Sequence, residues 1–416
     1  MSEHVRETDL VVIGGGPAGL AAATSAAEAG AHVVLVDRNP QLGGILNQCI
    51  HDGFGLHAFG QVLTGPEFAE RCVDQALEAG VKMHSDTLVT ELNADRTLIC
   101  SSAGLRYRLR AKSVVLAMGC RERTRGMLRI PGTRPAGVYT AGTAQWLTNM
   151  ANVRVGQRVV ILGSGDIGLI MARRLTWEGA EVAGVIELLP YPSGLPRNIS
   201  QCLDDYDIPL HLSHSVTCIH GRDRLEAVTV ARFDAHRRII PGTAFDLPCD
   251  TLLLSVGLIP ENEISRRAGV MLDPITSGAA VDERYMTNVE GIFSCGNVLH
   301  IHDLADWASE EGARAGRSAA AYSLGAMSNL NDRRVLIEPG EGIRYTVPQS
   351  VARTADRVLL SFRVTEPGEH KTAEVRADGH VLAAQPVRHV HPATMVQIEV
   401  PCKGGIDADR LEVRLR

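Results

Sequence analysis

The first three quarters of the chain alternate between continuous apolar runs and alanine-rich segments of helical character. Residues 9–37 contain an apolar strand, a glycine turn, a helix and a second apolar strand, and residues 158–187 repeat this order. Uninterrupted apolar strands are typical of a parallel sheet that is buried on both faces. The pattern therefore predicts two α/β units within one chain.

The glycine turn of the first unit has the spacing of a dinucleotide-binding fingerprint. Gly14 allows the tight turn, Gly16 lets the backbone approach a pyrophosphate, and Gly19 lets the helix pack closely on the strand. Asp37 ends the second strand, where its carboxylate can accept a hydrogen bond from a ribose hydroxyl. The N-terminus of the helix adds amide donors for the phosphates.

The second unit repeats this fingerprint. Gly163, Gly165 and Gly168 have the same spacing, and Glu187 stands in the place of Asp37. Two complete fingerprints in one chain predict two dinucleotides that face each other.

From about residue 330 the pattern changes to short strands separated by Gly, Pro and Asp turns, with no helical period. This texture predicts a small β-sandwich-like module, and it contains no recognisable catalytic motif. The composition of the whole chain is that of an ordinary globular protein, with 416 residues and a net charge of -6. That charge gives no indication of a nucleic-acid partner.

The distribution of apolar residues also bears on location. The chain has no apolar run long enough to span a membrane, and the first ten residues carry charges where a signal peptide has its apolar core. We therefore expect no membrane span and a cytoplasmic protein.

Nine cysteines form no CxxC pair and show no zinc or iron-sulfur spacing. Most are expected to be buried, reduced thiols. Cys49 is a candidate redox thiol, with His51 and His57 near enough in sequence to lower its pKa. The alternative for Cys49 is a packing role.

Longer motifs carry a resemblance to a known family. The two fingerprints occur together with "VVLAMGCRER" at 114–123, "LLLSVGLIPEN" at 252–262 and "TNVEGIFSCGNV" at 287–298. Their order resembles that of the two-dinucleotide-binding flavoproteins related to thioredoxin reductase, over residues 8–325.

A closer resemblance rests on "GGILNQCIHDGFG", "AMGCRERTRG", "VYTAGTAQ" and "CGNVLHIHDLADWASEEG". These motifs are similar to those of the FAD/NAD(P)-binding oxidoreductases associated with glycerol-3-phosphate dehydrogenase clusters. They are also similar to those of the FAD subunits of dye-linked proline, opine and amine dehydrogenases and of hydrogen cyanide synthases.

The resemblance implies FAD on the first fold and NAD(H) on the second. The implied FAD-binding residues are Gly14, Gly16, Pro17, Ala18, Gly19, Asp37, Arg38, Gly44, Gly119, Gly296 and Asn297. The implied NAD(H)-binding residues are Gly163, Gly165, Asp166, Ile167, Gly168 and Glu187. The Glu187 carboxylate would repel a 2′-phosphate, which favours NAD(H) over NADP(H). Asn297 departs from the family's usual Asp, although its amide oxygen can still accept a hydrogen bond from a hydroxyl.

The predicted architecture is an α/β fold with two Rossmann-like dinucleotide-binding domains and a small C-terminal β-rich domain. Residues 1–125 and 282–330 form a split FAD-binding domain, and the NAD(H)-binding domain at 126–281 is inserted between them. Residues 331–416 form the β-sandwich-like module.

The implied activity is that of an FAD-dependent NAD(H) oxidoreductase without a redox dithiol. It would transfer hydride between nicotinamide and flavin and exchange electrons with a partner flavoprotein or a small acceptor. The resemblance implies a companion dehydrogenase subunit and a small cysteine-containing protein as partners. Two alternatives stay open: an FAD subunit of a multi-subunit amine, imino acid or opine dehydrogenase, and a flavin-bound assembly subunit.

The stretch "HIHD" at 300–303 combines two imidazoles with a carboxylate, and Asp306 follows closely. The i, i+2 spacing of the histidines suits no common helix-face zinc site, so no metal is expected. His302 is instead a candidate catalytic residue, which could donate to a flavin carbonyl or shuttle a proton. The alternative is a pair of histidines with hydrogen-bond partners within a loop.

Overall fold

A computed structural model describes residues 5–327 and 332–416. The chain divides into two compact units, one made of residues 1–120 and 260–416 and the other of residues 121–259. The expected boundary at residues 330–331 lies outside the described residues, as do the first four residues of the charged N-terminal stretch.

Residues 5–120 build a sheet that buries its short apolar second strand and the apolar C-terminal ends of its first and sixth strands. The strands are β1 (Val5–Ile13), β2 (Val33–Val36), β3 (Lys82–His84), β4 (Thr87–Leu92), β5 (Thr97–Ser102) and β6 (Leu105–Leu116). Their order is β3-β2-β1-β6-β5-β4. The pairs β3-β2, β2-β1 and β1-β6 are parallel, whereas β6-β5 and β5-β4 are antiparallel. The helices are α1 (Pro17–Glu28), α2 (Leu56–Phe59) and α3 (Gly65–Glu78), with a 3-10 turn at Gly44–Gln48.

The second unit contains a parallel sheet with its own core. The strands from this part of the chain are β7 (Cys120–Glu122), β8 (Val138–Thr140), β9 (Arg158–Leu162), β10 (Glu181–Glu187), β11 (Leu210–Leu212), β12 (His214–Gly221), β13 (Leu225–Arg232), β14 (Phe245–Pro248), β15 (Thr251–Leu254) and β16 (Leu258–Pro260). The order β11-β10-β9-β15-β8 is parallel throughout, and β12-β13-β14 form an antiparallel sheet. The helices are α4 (Arg125–Leu128), α5 (Ala141–Asn149), α6 (Asp166–Trp177) and α7 (Pro196–Cys202), with a 3-10 turn at Asp204–Tyr206.

Residues 260–327 return to the first unit and contribute α8 (Glu263–Arg267), β17 (Ile292–Ser294), a 3-10 turn at Gly296–Val298 and α9 (Ala305–Ser323). Strand β17 pairs in parallel with the end of β6. Residues 260–281, expected in the NAD(H)-binding domain, lie in the first unit because apolar side chains such as Val270 and Val281 join its core. Helix α9 packs against α1 at two glycines: a Cβ at Gly312 or Gly316 would lie 2.1 Å from a carbonyl oxygen of α1.

The C-terminal region is β-rich, as predicted. Its strands are β18 (Arg334–Pro339), β19 (Ile343–Val347), β20 (Ser350–Ala352), β21 (Arg357–Val364), β22 (Gly368–Ala377), β23 (His380–Val390), β24 (Val396–Pro401) and β25 (Arg410–Leu415). They form two sheets, ordered β20-β18-β25-β22-β23 and β19-β21-β24, which bury one apolar cluster. Tyr345 and Val347 belong instead to the core of the first unit, so this region packs directly on the preceding α/β part. The α/β fold class with a β-rich end is confirmed.

Candidate dinucleotide-binding sites

The first glycine turn connects β1 to α1. Gly14 has a φ of +107°, and a Cβ there would lie 2.4 Å from the carbonyl oxygen of Ala117, so this position requires glycine. A Cβ at Gly19 would lie 1.8 Å from the carbonyl oxygen of Gly14. A Cβ at Gly16 would meet no protein atom within 4 Å. The turn is therefore tightly packed at Gly14 and Gly19 and open at Gly16.

The acid at the end of β2 is held by backbone donors. Asp37 is buried, its Oδ2 accepts from the Gly15 N–H over 2.6 Å, and its Oδ1 accepts from the Asn39 N–H over 2.7 Å. A carboxylate has about four acceptor positions, so two remain for ribose hydroxyls. The neighbouring Arg38 is exposed.

Other predicted residues also lie close to this turn. Pro17 and Ala18 begin α1, and a Cβ at Gly296 would lie 2.6 Å from the Ala18 Cβ. A Cβ at Gly44 would lie 3.1 Å from the Cα of Gly16. Gly119 follows β6 with a φ of +70°, and no atom lies within 4 Å of where its Cβ would be. The open backbone at Gly16 and Gly119 fits a bound dinucleotide that passes close to the chain.

Both ends of the Asn297 side-chain amide have protein partners. Its Oδ1 accepts from the His302 N–H over 2.9 Å, and its Nδ2 lies 3.7 Å from the Cys120 Sγ. The amide oxygen therefore connects its own turn to the loop that carries His302, and its second lone pair can still accept from a hydroxyl.

The second glycine turn reproduces the first. Gly163 has a φ of +95°, and its Cβ would lie 2.1 Å from the carbonyl oxygen of Ser255. A Cβ at Gly168 would lie 2.7 Å from the Ser255 Cβ, whereas at Gly165 the nearest atom would be 3.3 Å away. Ser255 therefore has the role that Ala117 has in the first unit. Asp166 and Ile167 begin α6, directly after this turn.

The acid of the second unit, Glu187, accepts hydrogen bonds from equivalent backbone N–H groups. Glu187 Oε2 accepts from the Ser164 N–H over 3.0 Å, and Oε1 accepts from the Leu189 N–H over 2.9 Å. In addition, the hydroxyls of Ser164 and Ser193 donate to Oε2 over 2.6 Å and 2.8 Å. Neither serine is predicted from the sequence: Ser164 occupies a variable position of the fingerprint, and Ser193 approaches the turn only through tertiary folding.

The two histidines of "HIHD" converge on a carboxylate from α9. Glu311 Oε2 lies 2.7 Å from His300 Nε2, its Oε1 lies 3.5 Å from His302 Nε2, and Oε1 also accepts from the Gly296 N–H over 2.7 Å. Burial raises the pKa of Glu311, but the facing imidazoles outweigh burial and lower it. Burial lowers the pKa of His300, although the facing Glu311 carboxylate opposes this shift.

The donor atoms of His300, His302 and Glu311 lie within 4.8 Å of one another, close enough for shared metal ligation. Ligating histidines usually donate their other ring N–H to a protein partner. Here the Nδ1 atoms of both rings are buried without such a partner. The arrangement therefore fits a hydrogen-bonded triad better than a metal centre.

The two aspartates near these histidines have other partners. Asp303 Oδ1 pairs with the buried Arg363 of β21, and its Oδ2 accepts from the Met395 N–H over 2.6 Å. Arg363 also donates to the carbonyl oxygen of Ile301 over 2.9 Å. The C-terminal β-rich region thus anchors the loop that carries His302. Asp306 accepts from backbone amides of the 55–58 segment.

Cys49 follows the 3-10 turn at Gly44–Gln48, and its Sγ donates to the carbonyl oxygen of Ile45 over 3.3 Å. Burial raises the pKa of this thiol to about 12. His57 stacks on Trp307, with ring centroids 4.5 Å apart. These features favour the packing alternative for Cys49, because a protonated thiol is a poor nucleophile.

These folds and turns define a two-dinucleotide-binding flavoprotein. The family model described as pyridine nucleotide-disulphide oxidoreductase matches residues 8–312. The chain belongs to this family and is an FAD-dependent pyridine nucleotide oxidoreductase that uses NAD(P)H.

Individual relatives are similar at a lower level. The hydrogen cyanide synthase subunit HcnB of Pseudomonas protegens is 26% identical over 350 residues, which cover 78% of this chain and 71% of the relative. The ferredoxin reductase component of chlorobenzene dioxygenase from Cupriavidus sp. is 27% identical over 419 residues, covering 98% of this chain and 93% of the relative. Thioredoxin reductase of T. acidophilum shares the fold, with a TM-score of 0.64, 23% identity and coverage of 77% of this chain and 99% of that structure.

None of the helices within residues 5–327 and 332–416 is long and apolar enough to cross a membrane.

Proposed function

We propose that the protein is an FAD-dependent NAD(H) oxidoreductase that exchanges electrons with a partner flavoprotein or a small acceptor. When bound, the two cofactors supply hydride transfer between nicotinamide and flavin. The observation that carries the proposal is the repeated turn: Asp37 and Glu187 each accept an N–H from the second residue of their own G-x-G turn. We assign FAD to the first turn and NAD(H) to the second.

The preference for NAD(H) rests on Glu187. On this proposal a 2′-phosphate would approach the buried carboxylate of Glu187, and two negative groups in such a site repel each other. A ribose 2′-hydroxyl can instead donate to a carboxylate oxygen.

Electrons leave or enter the flavin without a protein dithiol. The sequence has no CxxC pair, and the described cysteines form no disulfide. The pKa of Cys49, raised to about 12 by burial, keeps that thiol protonated at neutral pH. A disulfide relay of the kind that thiol-disulfide exchange requires is therefore not part of the proposal.

A companion dehydrogenase subunit and a small cysteine-containing protein are the proposed partners. The relatives support a multi-component setting, since one is named a synthase subunit and another a dioxygenase component. The association with glycerol-3-phosphate dehydrogenase clusters and the cytoplasmic location stay predictions from the sequence.

Glu187 already accepts four hydrogen bonds from neighbouring protein groups, which leaves less capacity for a ribose hydroxyl. This observation favours a second candidate function, in which the chain does not use NAD(H). In that case substrate oxidation takes place in a partner chain, and this protein is the FAD subunit of an amine, imino acid or opine dehydrogenase. The second alternative is a flavin-bound assembly subunit, which would hold FAD but transfer no electrons itself.

The experiment is an acceptor assay on the purified, FAD-loaded protein. NADH, NADPH, proline and an opine are supplied in turn with an artificial electron acceptor, under anaerobic conditions. Acceptor reduction with NADH and little with NADPH supports the proposal. No reduction with any donor contradicts the proposal and is the result that the second candidate predicts for the isolated chain, because its substrate is oxidised in a partner chain. Reduction with an amino acid substrate alone contradicts both, because this chain would then oxidise the substrate itself.

A further inference from the structure

The acids of the two repeated turns, Asp37 and Glu187, differ in the number of hydrogen bonds that their carboxylates already accept. Asp37 accepts two backbone N–H groups, one on each oxygen. Glu187 accepts the equivalent pair and also the hydroxyls of Ser164 and Ser193. Three of these four donors share Oε2, so a carboxylate with about two acceptor positions on each oxygen keeps a free position on Oε1 only, whereas Asp37 keeps one on each oxygen.

One segment of the second unit supplies the additional contacts. We call residues 193–198 the strap. Besides the Ser193 hydroxyl on Glu187, the Ser193 N–H donates to Ser164 Oγ over 2.8 Å. The strap is also fixed to the first residue of α6: the Leu195 N–H and the Asn198 Nδ2 donate to Asp166 Oδ1 over 2.8 Å and 2.6 Å.

The strap lies directly on the fingerprint. A Cβ at Gly194 would lie 2.8 Å from the carbonyl oxygen of Ser164 and 3.0 Å from Asp166 Oδ1. Only a residue without a side chain allows this approach. The first unit has no equivalent of the Asp166 carboxylate, because Pro17 begins its helix.

We infer that the strap competes with the dinucleotide for Glu187 and thereby sets the affinity of the second site. A ribose that donates one hydroxyl to each oxygen of Glu187 must displace the Ser193 hydroxyl from Oε2, and the strap must then loosen from Asp166. Ser193 and Asn198 are positioning residues, because they act on the dinucleotide through Glu187 and Asp166. The inference rests on the proposed assignment of NAD(H) to this fold, and it adds that binding requires the strap to move.

The test uses two variants outside the fingerprint. Ser193→Ala removes the competing donor, and Asn198→Ala removes one bond between the strap and Asp166. Ser200→Ala is the matched control, since this serine is exposed on the same helix, α7. Calorimetric titration of the FAD-loaded proteins with NAD⁺ measures binding without reducing the flavin.

We expect both variants to bind NAD⁺ about threefold to tenfold more tightly than the wild type, and Ser200→Ala to match the wild type. Binding by the variants with none by the wild type would also support the strap. Weaker binding by both variants would overturn it, because Ser193 would then be part of the ribose site. Unchanged binding would overturn it too, because the strap would then not compete with the dinucleotide. Absence of NAD⁺ binding in every protein would overturn it as well.

The same proteins are then mixed with NADH to separate this inference from the proposed function. Flavin reduction by NADH together with weaker NAD⁺ binding by the variants would contradict only the inference about the strap. It would still support the proposed function. Tighter NAD⁺ binding by the variants, without flavin reduction in any protein, supports the strap and contradicts the proposed function.

Discussion

The Ser164 backbone N–H donates to Glu187 Oε2 over 3.0 Å, and this contact places the carboxylate at the glycine turn of the second unit. The Gly15 N–H makes the same contact with Asp37 over 2.6 Å in the first unit. The internal repeat therefore extends from the sequence pattern to individual hydrogen bonds. Equivalent geometry in both turns is the physical basis for assigning a dinucleotide to each.

Glu187→Gln tests the nucleotide preference. Glutamine keeps the size of the side chain but removes the charge, so a ribose hydroxyl loses a charge-assisted bond and a 2′-phosphate is no longer repelled. We expect the KM for NADH to rise about tenfold, and the ratio of kcat/KM for NADH over NADPH to fall by at least that factor. Steady-state kinetics with both nucleotides provide the measurement. An unchanged ratio would show that Glu187 does not set the preference.

Gly16→Ala and Gly19→Ala form a matched pair for the FAD site. A Cβ at Gly16 meets no protein atom within 4 Å, whereas a Cβ at Gly19 would lie 1.8 Å from the Gly14 carbonyl oxygen. We expect Gly16→Ala to keep the unfolding free energy of the FAD-free protein within about 1 kcal/mol while weakening FAD binding. Gly19→Ala should lose about 1–3 kcal/mol or more of stability through overpacking.

Denaturant unfolding and flavin titration distinguish these effects. If Gly16→Ala bound FAD as tightly as the wild type, the pyrophosphate would not pass close to this residue.

Cys49→Ser tests the redox role left open by the sequence. With a pKa of about 12, only about one thiol in 10⁵ is ionised at pH 7. A thiol that gains a proton so readily stays protonated until the pH approaches that pKa. We expect NADH to reduce the flavin of Cys49→Ser at a rate within about twofold of the wild-type rate. We also expect slow alkylation of Cys49 in the native wild-type protein up to pH 9.

Mass spectrometry of iodoacetamide-treated protein, before and after unfolding, follows this alkylation. Rapid modification of native Cys49 with loss of activity would restore the redox interpretation.

Arg363→Ala tests the anchor between the C-terminal region and the His302 loop. Arg363 and Asp303 expose only 11% and 8% of their side chains, so removing the arginine leaves a buried carboxylate unpaired. Such losses cost about 3–5 kcal/mol. Arg357→Ala is the control, because Arg357 and Glu399 expose 78% and 59% of their side chains and such pairs contribute at most about 1 kcal/mol.

Chemical denaturation gives the unfolding free energies of both variants for comparison. Arg363→Lys tests whether a positive charge opposite Asp303 is enough to retain the stability of the wild type. Equal losses for Arg363→Ala and Arg357→Ala would mean that the buried pair does not anchor the loop.

The features that can be predicted from the sequence are those that depend on residues close together in the chain. Gly14, Gly19 and Asp37 belong to one strand-turn-helix-strand unit, so their roles follow from spacing and from apolar runs. The β-rich end was predictable for the same reason, since its strands alternate with turn residues over short distances. The α/β fold class with a β-rich end is confirmed, whereas the roles of Gly14, Gly19 and Asp37 in FAD binding stay predictions.

The remaining features depend on contacts between distant segments. Glu311 meets His300 only because α9 begins after the "HIHD" loop and turns its buried face towards that loop. Arg363 is 60 residues from Asp303, and no local pattern marks the pair. The position of residues 260–281 in the first unit likewise depends on apolar side chains that join a core formed mainly by other segments.

The most direct measurement is anaerobic stopped-flow absorbance of the FAD-loaded protein after mixing with NADH or with NADPH. The account predicts rapid loss of the oxidised flavin band with NADH and a much slower loss with NADPH. Retention of the band with NADH, in a protein that contains stoichiometric FAD, would contradict the assignment of this chain as an NAD(H) oxidoreductase.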